Sequence, residues 1–197
     1  MSANSREAIL AAATRIAQAH GYNGLNFRDL AADVGIKAPS IYHHFASKAD
    51  LGAAVAKRYW EDTAAALEAM TAEFASDPLL ALHEYPARTF RPSLENGNRI
   101  CLCSFMSAET DDLPPEVQKE VQAFADVNVA WLGKTLVAAG VVGRADSEAR
   151  ARAIYAAVSG AQLMARSRAD ISLFDALIDG YRAAGMLPAR KKAARRP

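Results

Sequence analysis

Apolar residues recur every three or four positions along most of the chain, and no run alternates as a half-buried strand would. The pattern therefore predicts an all-α protein. Ile9, Ala12, Ala13, Ile16 and Ala17 form the face of a first helix, opened by Asn4 with Glu7 at capping-box spacing and closed by Gly21. Two much shorter helices follow. Leu30, Ala31 and Val34 make the face of one. Asn26 is placed to cap it by accepting the amide of the third helical residue, and Leu25 and Leu30 occupy the two positions of a hydrophobic staple. Gly35 stops it, since glycine takes the left-handed conformation at little steric cost. The other runs over about 38–45, with Pro39 in its first turn and Ile41 and Phe45 as its apolar anchors.

Longer helices complete the pattern. Ser47 caps one that reaches about Ala75, with Leu51, Val55, Tyr59, Ala66 and Met70 along one seam. Asp77-Pro78 opens another to about Asn96, and a short one covers about 99–110. The Pro114-Pro115 pair starts a helix to Ala139 in which Val117, Val121, Phe124, Asn128, Trp131, Leu132 and Thr135 keep a 3–4 spacing. Two more are expected from Asp146 or Ser147 to about Arg168, and from Asp170 to about Gly185. Ile154, Ala157, Val158, Ala161 and Met164, then Leu173, Phe174, Leu177, Ile178 and Tyr181, are their apolar positions.

Two short helices joined by a glycine turn describe a helix-turn-helix, whose second helix can enter the major groove of DNA. Ser40, Tyr42, His43 and His44 put hydrogen-bonding groups on an element too small to be mainly core. A polar surface hairpin would give the same pattern. The resemblance is more specific. Residues 7–51, with Gly21, Gly24, Asp29-Leu30-Ala31, Val34-Gly35-Ile36, the run Tyr42-His43-His44-Phe45-Ala46-Ser47-Lys48 and Leu51, resemble the DNA-binding domain of the TetR family of repressors. Asn26 stands where that family more often has Thr or Ser, and both types cap helices. The resemblance implies a cytoplasmic homodimer, paired through the two helices between 146 and 185, and operator binding controlled by a ligand or chemical signal. Together with helix geometry it places Arg28, Ala38, Pro39, Ser40, Tyr42, His43, His44 and Lys48 at or near DNA. Tyr42 and Lys48 are expected at phosphate, Arg28 and Ser40 at base edges, and Ala38 and Pro39 at thymine methyls.

Charge agrees. The formal total is +1, but residues 1–58 hold seven Lys/Arg against four Asp/Glu, residues 59–187 eleven against eighteen, and residues 188–197 five against none. A basic head on an acidic remainder can orient on a polyanion. The division expected is 1–50 for DNA binding, 51–187 for effector binding and dimerisation, and 188–197 as a disordered basic tail. No uncharged apolar stretch reaches the ~18 residues of a membrane span, and no export signal is present. Catalytic motifs are absent, no cofactor is implied, and neither the adjacent His43 and His44 nor the paired Cys101 and Cys103 point the same way on a helix, so no metal site is expected.

An effector site is sought among the bulky residues of 51–187: Trp60, Phe90, Phe105, Phe124, Trp131 and Met164, with Asn128 interrupting an apolar stripe. Such residues are also ordinary core, and a buried amide needs a partner from the protein or from a ligand. Cys101, two residues after Arg99 and near a helix start, is expected to have a lowered thiol pKa. Cys101-Leu102 and Ser107-Ala108-Glu109 also look like part of an electrophile- and oxidant-responsive subgroup of these repressors. Against this, a buried cysteine is commonly just a small hydrophobe. The effector is accordingly a small apolar or electrophilic molecule. A sequence-tolerant, nucleoid-like DNA-binding protein and an activator of the same fold are the alternatives.

Overall fold

A computed structural model describes residues 3–189. The basic tail falls almost wholly outside these residues, as does the side chain of Asn4 and with it the first capping box. Among the described residues the secondary structure is helical, without strands: α1 (Ala3–His20), α2 (Phe27–Val34), α3 (Ala38–Tyr42), α4 (Lys48–Glu73), α5 (Pro78–Thr89), α6 (Arg91–Glu95), α7 (Leu102–Ser107), a 3-10 turn (Thr110–Asp112), α8 (Pro115–Ala138), α9 (Arg144–Arg168) and α10 (Ile171–Ala183). The chain divides into two compact units, 1–64 with 99–127, and 65–98 with 128–197.

In the first unit the short helices form as their capping residues dictate. Asn26 caps α2, but its side chain accepts from Arg28 N, one residue nearer than the expected third helical position. Gly35 closes the helix in the left-handed conformation, φ 74°. Ser47 Oγ accepts from Asp50 N at the start of α4. Ile9, Ala12, Ala13, Ala17, Leu25, Leu30, Ile41, Phe45, Leu51 and Val55 are buried together as the core of this end of the chain. In the part of α4 that belongs to the second unit the seam differs from expectation: Leu67 is buried, whereas Ala66 is exposed.

Two expected helices are shorter than their sequence pattern. The stretch 78–96 is broken at Phe90 into α5 and α6, because Pro92 has no amide with which to continue the ladder. The Phe90 carbonyl at the break accepts from the buried Gln162 Nε2 at 2.5 Å. The stretch 99–110 keeps a helix only from Leu102 to Ser107. Asn98 is left-handed, φ 55°, with its side chain donating to Arg166 O, and the chain stays non-helical through Cys101.

The second unit packs around Tyr85. Its ring stacks on Trp131 with centroids 5.5 Å apart and meets Phe90 edge-on at 5.9 Å. Its hydroxyl donates to Asn128 Oδ1 at 2.8 Å, and Trp131 Nε1 donates to Thr71 Oγ1 at 2.8 Å. Asn128 is 0% exposed, so the amide that interrupts the stripe has a protein partner. We predict that Tyr85→Phe, which keeps the ring but removes the buried hydrogen bond to Asn128 Oδ1, lowers stability by about 1–2 kcal/mol in chemical denaturation. An unchanged midpoint at unchanged slope would contradict a net stabilising hydrogen bond.

Candidate nucleic-acid interface and effector-site residues

The turn between α2 and α3 spans only Gly35 to Lys37, and the two helices pack directly on each other. Ile41 is 0% exposed and Phe45 is buried beside it, so the rest of α3 is carried outward by these anchors. Tyr42 is 59% exposed and lies edge-on to Phe27 with ring centroids 4.8 Å apart, which fixes the phenol direction without burying the hydroxyl. Arg28, Pro39 and His43 are exposed, and Ala38 and Ser40 half-buried. An uncharged element flanked by Arg28 and Lys48, and offering hydroxyl, imidazole and apolar groups, has the mixture a DNA groove requires.

Two of the eight expected DNA residues are more committed to the protein than their sequence positions suggest. His44 is half-buried, and its Nε2 is buried without a hydrogen-bond partner. Lys48 is half-buried at the first turn of α4. Its ammonium lies 4.6 Å over the Tyr22 ring and donates to Asn23 O at 3.3 Å.

The eight expected effector residues fall in both units. In the first, Tyr59 is central: its ring tilts against Phe124 at 5.4 Å, and its hydroxyl is hydrogen-bonded to the Cys101 thiol. Trp60 is half-buried and donates from Nε1 to Glu120 Oε2 at 2.8 Å, while Phe105 is half-buried. In the second, Asn128, Trp131 and Phe90 gather around Tyr85 as described, and Phe90 also meets Tyr155 at 6.1 Å. Met164 stands apart, 47% exposed on the outer side of α9. Tyr59 and Tyr85, the centres of the two groups, were not among the expected site residues. A tyrosine at helical spacing reads as one more core position, and no local signal separates it from its neighbours.

The expectation for Cys101 needs correction. The residue precedes α7 as its N-cap rather than lying inside a helical first turn, and it is 1% exposed. Burial pushes its thiol pKa up rather than down, against hydrogen bonds from Ser104 and Tyr59 that favour the thiolate. Arg99 does not serve as the stabilising cation, since its guanidinium donates to Arg15 O at 3.2 Å. Cys103 is pushed up further, by burial and then by the neighbouring Cys101. Both are free thiols. Among the described residues, no group of three His, Cys, Asp or Glu side chains could hold a metal ion, and no helix is long and apolar enough to cross a membrane.

This geometry defines a helix-turn-helix protein of the DNA-binding class. The sequence model for bacterial regulatory proteins, tetR family, matches residues 9–55, which span α1 to the first turns of α4. Among solved structures, a TetR transcriptional regulator from Legionella pneumophila is 27% identical, with a TM-score of 0.86 over 93% of this chain and 98% of that one. A TetR-family regulator from Agrobacterium tumefaciens is 28% identical, with a TM-score of 0.84 over 92% and 97%. The reduced form of E. coli NemR, at 20% identity and a TM-score of 0.79 over 91% and 96%, shares the fold. No curated protein matches at a significant level. Residues 9–55 thus match the N-terminal, DNA-binding part of tetR-family regulatory proteins, and the chain as a whole is similar in fold to TetR-family transcriptional regulators.

Two buried, uncharged thiols should resist a polar alkylating agent in the native protein near neutral pH and react freely once denatured. Peptide mass mapping after limited alkylation is expected to find Cys101 labelled before Cys103. Labelling of native Cys103 at the rate of an exposed thiol would contradict the burial described.

Proposed function

We propose that this chain is a cytoplasmic homodimeric repressor that binds a palindromic operator and is released when a small apolar or electrophilic effector engages residues 51–187. The observation that carries the reading is the match of residues 9–55 to the tetR-family sequence model, with Arg28, Pro39, Tyr42 and His43 exposed on α2, α3 and their flanks. Arg28 and Ser40 read base edges, Ala38 and Pro39 meet thymine methyls, His43 and His44 lie near the groove, and Tyr42 and Lys48 contact phosphate. Residues 1–50 carry DNA binding, and residues 51–187 carry effector binding and dimerisation. Effector binding moves α4 and changes the spacing of the two heads, which requires that the effector interact differently with the two states. The Tyr85 and Tyr59 groups are the places where such a molecule has aromatic and hydrogen-bonding partners, and Asn128 and Trp131 are the first to test.

The dimer forms through α9 and α10. Leu163 is 58% exposed, Met164 lies beside it, and a side chain at Gly160 would meet only open space, so this face is apolar and unfilled within one chain. Ile154, Val158, Ala161, Phe174 and Ile178 are buried inside the chain and do not belong to the face. A two-fold interface there would bury at least ~1,000 Å² and set half-sites about one helical turn apart, ~34–36 Å. Light scattering on Leu163→Arg should show a monomer, and an unchanged dimer would count against this face.

Lys48→Ala should weaken binding to all sequences and flatten the salt dependence by about one unit, whereas Arg28→Ala should relax preference at one base pair. Anisotropy titrations against a selected operator, with random duplex as competitor, distinguish the two. Wild-type behaviour by both variants would remove the basis of the placement.

A further inference from the structure

We infer that Glu109 is a positioning residue for DNA binding: its carboxylate holds the turn between α1 and α2, and through that turn it sets Lys48. The inference rests on the reading of Lys48 as a phosphate contact.

Glu109 follows α7 and lies 86 residues from Asn23, yet it is built into the first unit with the DNA-binding helices. Its Oε2 accepts from Tyr22 N at 2.6 Å and its Oε1 from Asn23 N at 3.2 Å. Two successive amides of the turn just after α1, beyond its hydrogen-bond ladder, thus share one carboxylate, and bonds to a carboxylate acceptor are the stronger kind. Asp112 Oδ2 adds a contact to Asn23 Nδ2 at 3.4 Å. The sequence leaves room for this. A Cβ at Gly21 would stand 2.2 Å from Glu109 Oε2 and 2.5 Å from its Cδ, and Gly21 is itself left-handed, φ 68°. Glycine at 21 therefore serves two requirements, the turn and the approach of the carboxylate.

Lys48 meets the same two residues on their other groups. Its ammonium donates to the Asn23 carbonyl and sits over the Tyr22 ring. Asn23 thus gives its amide to Glu109 and its carbonyl, in the next peptide unit, to Lys48, so the ammonium is directed by a residue whose amide the carboxylate holds. If the carboxylate withdraws, the turn loses both acceptors and Lys48 loses a fixed partner.

Glu109 is placed in turn by buried structure. Its amide donates to Met106 O at 2.9 Å, and Met106, Leu102 and Cys103 of α7 are buried. Gln118 Nε2 of α8 donates to Thr110 O and Leu113 O, pinning the 3-10 turn that follows. A displacement of α7, whether from Cys101 or from the apolar contacts of Met106, therefore shifts the carboxylate away from both bonds. Operator affinity then becomes sensitive to a segment that touches no DNA.

The test uses the full chain and anisotropy titrations of a selected operator duplex at several KCl concentrations, on wild type, Glu109→Gln, Lys48→Ala and the double variant. Glu109→Gln is expected to weaken binding roughly tenfold, equivalent to about 1.4 kcal/mol, and to flatten the salt slope by close to one unit. In the Lys48→Ala background the same change should cost about twofold or less, because its route is already cut. Equal losses in both backgrounds, or an unchanged salt slope, would overturn the inference and leave Glu109 a fold-stabilising cap. If Glu109→Gln does not fold by circular dichroism, the same readings are taken on Glu109→Asp, where the coupling to Lys48→Ala decides. Absence of sequence-specific binding by wild type would overturn the DNA-contact reading and this inference together. Specific wild-type binding matched by Glu109→Gln would overturn the inference alone.

Discussion

The carboxylate of Glu109, accepting two consecutive amides just after α1, is the constraint on which the first unit depends. A helix end leaves backbone groups that must find partners, and a turn of three or four residues has few to offer. Here the partner comes from a segment far along the chain. That choice ties the turn after α1, and Lys48 at the first turn of α4, to the segment after α7, alongside the contacts of Tyr59 with Phe124, Trp60 with Glu120 and Arg99 with Arg15 in the same unit. Among the exposed ion pairs in the same unit, Arg58 with Glu7 joins α1 to α4 and Arg58 with Asp62 lies within α4, and each contributes little because water screens it.

Away from that turn, two tyrosines organise the interior. Tyr85 gives the second unit a stacked aromatic core and satisfies the amide of Asn128, and Tyr59 lies between Phe124 and the Cys101 thiol in the first. Each hydroxyl meets a polar group that would otherwise be costly to bury. These polar contacts inside apolar surroundings are also where a bound molecule would have to compete. The burial that protects Cys101 withholds thiolate, so any electrophile chemistry there requires the segment before α7 to open first.

Much of the fold was legible in the sequence, because local chemistry decided it. Asn26, Gly35, Pro39, Ser47 and Asp170 mark helix boundaries by capping or backbone restriction, and the structure uses each of them so. Errors arose where a distant partner competed with local preference. Asn98 reaches Arg166 O, which holds 99–101 out of a helix. Ala161 fits an apolar stripe but is buried within its own chain, because α9 packs on α10 with the face that periodicity alone could not orient. In the sequence Glu109 stands only in the Ser107-Ala108-Glu109 run that looks like part of the electrophile-responsive subgroup. Nothing local announces that a carboxylate will cap a turn 86 positions away. The exposed residues of α2 and α3 were readable because they resemble a known pattern. The two tyrosine-centred groups, which depend on packing between helices, were not.

The most direct measurement is amide hydrogen exchange, resolved by residue, at Tyr22 and Asn23 in the intact protein. Both amides face a turn that would exchange freely if α1 to α4 stood alone. The account predicts exchange orders of magnitude slower than for an unprotected amide, with Tyr22 slower than Asn23 as its shorter bond to Glu109 requires. Exchange of both at the rate of an open loop would show that the carboxylate does not hold the turn, and the link between α7 and the DNA-binding helices would be lost.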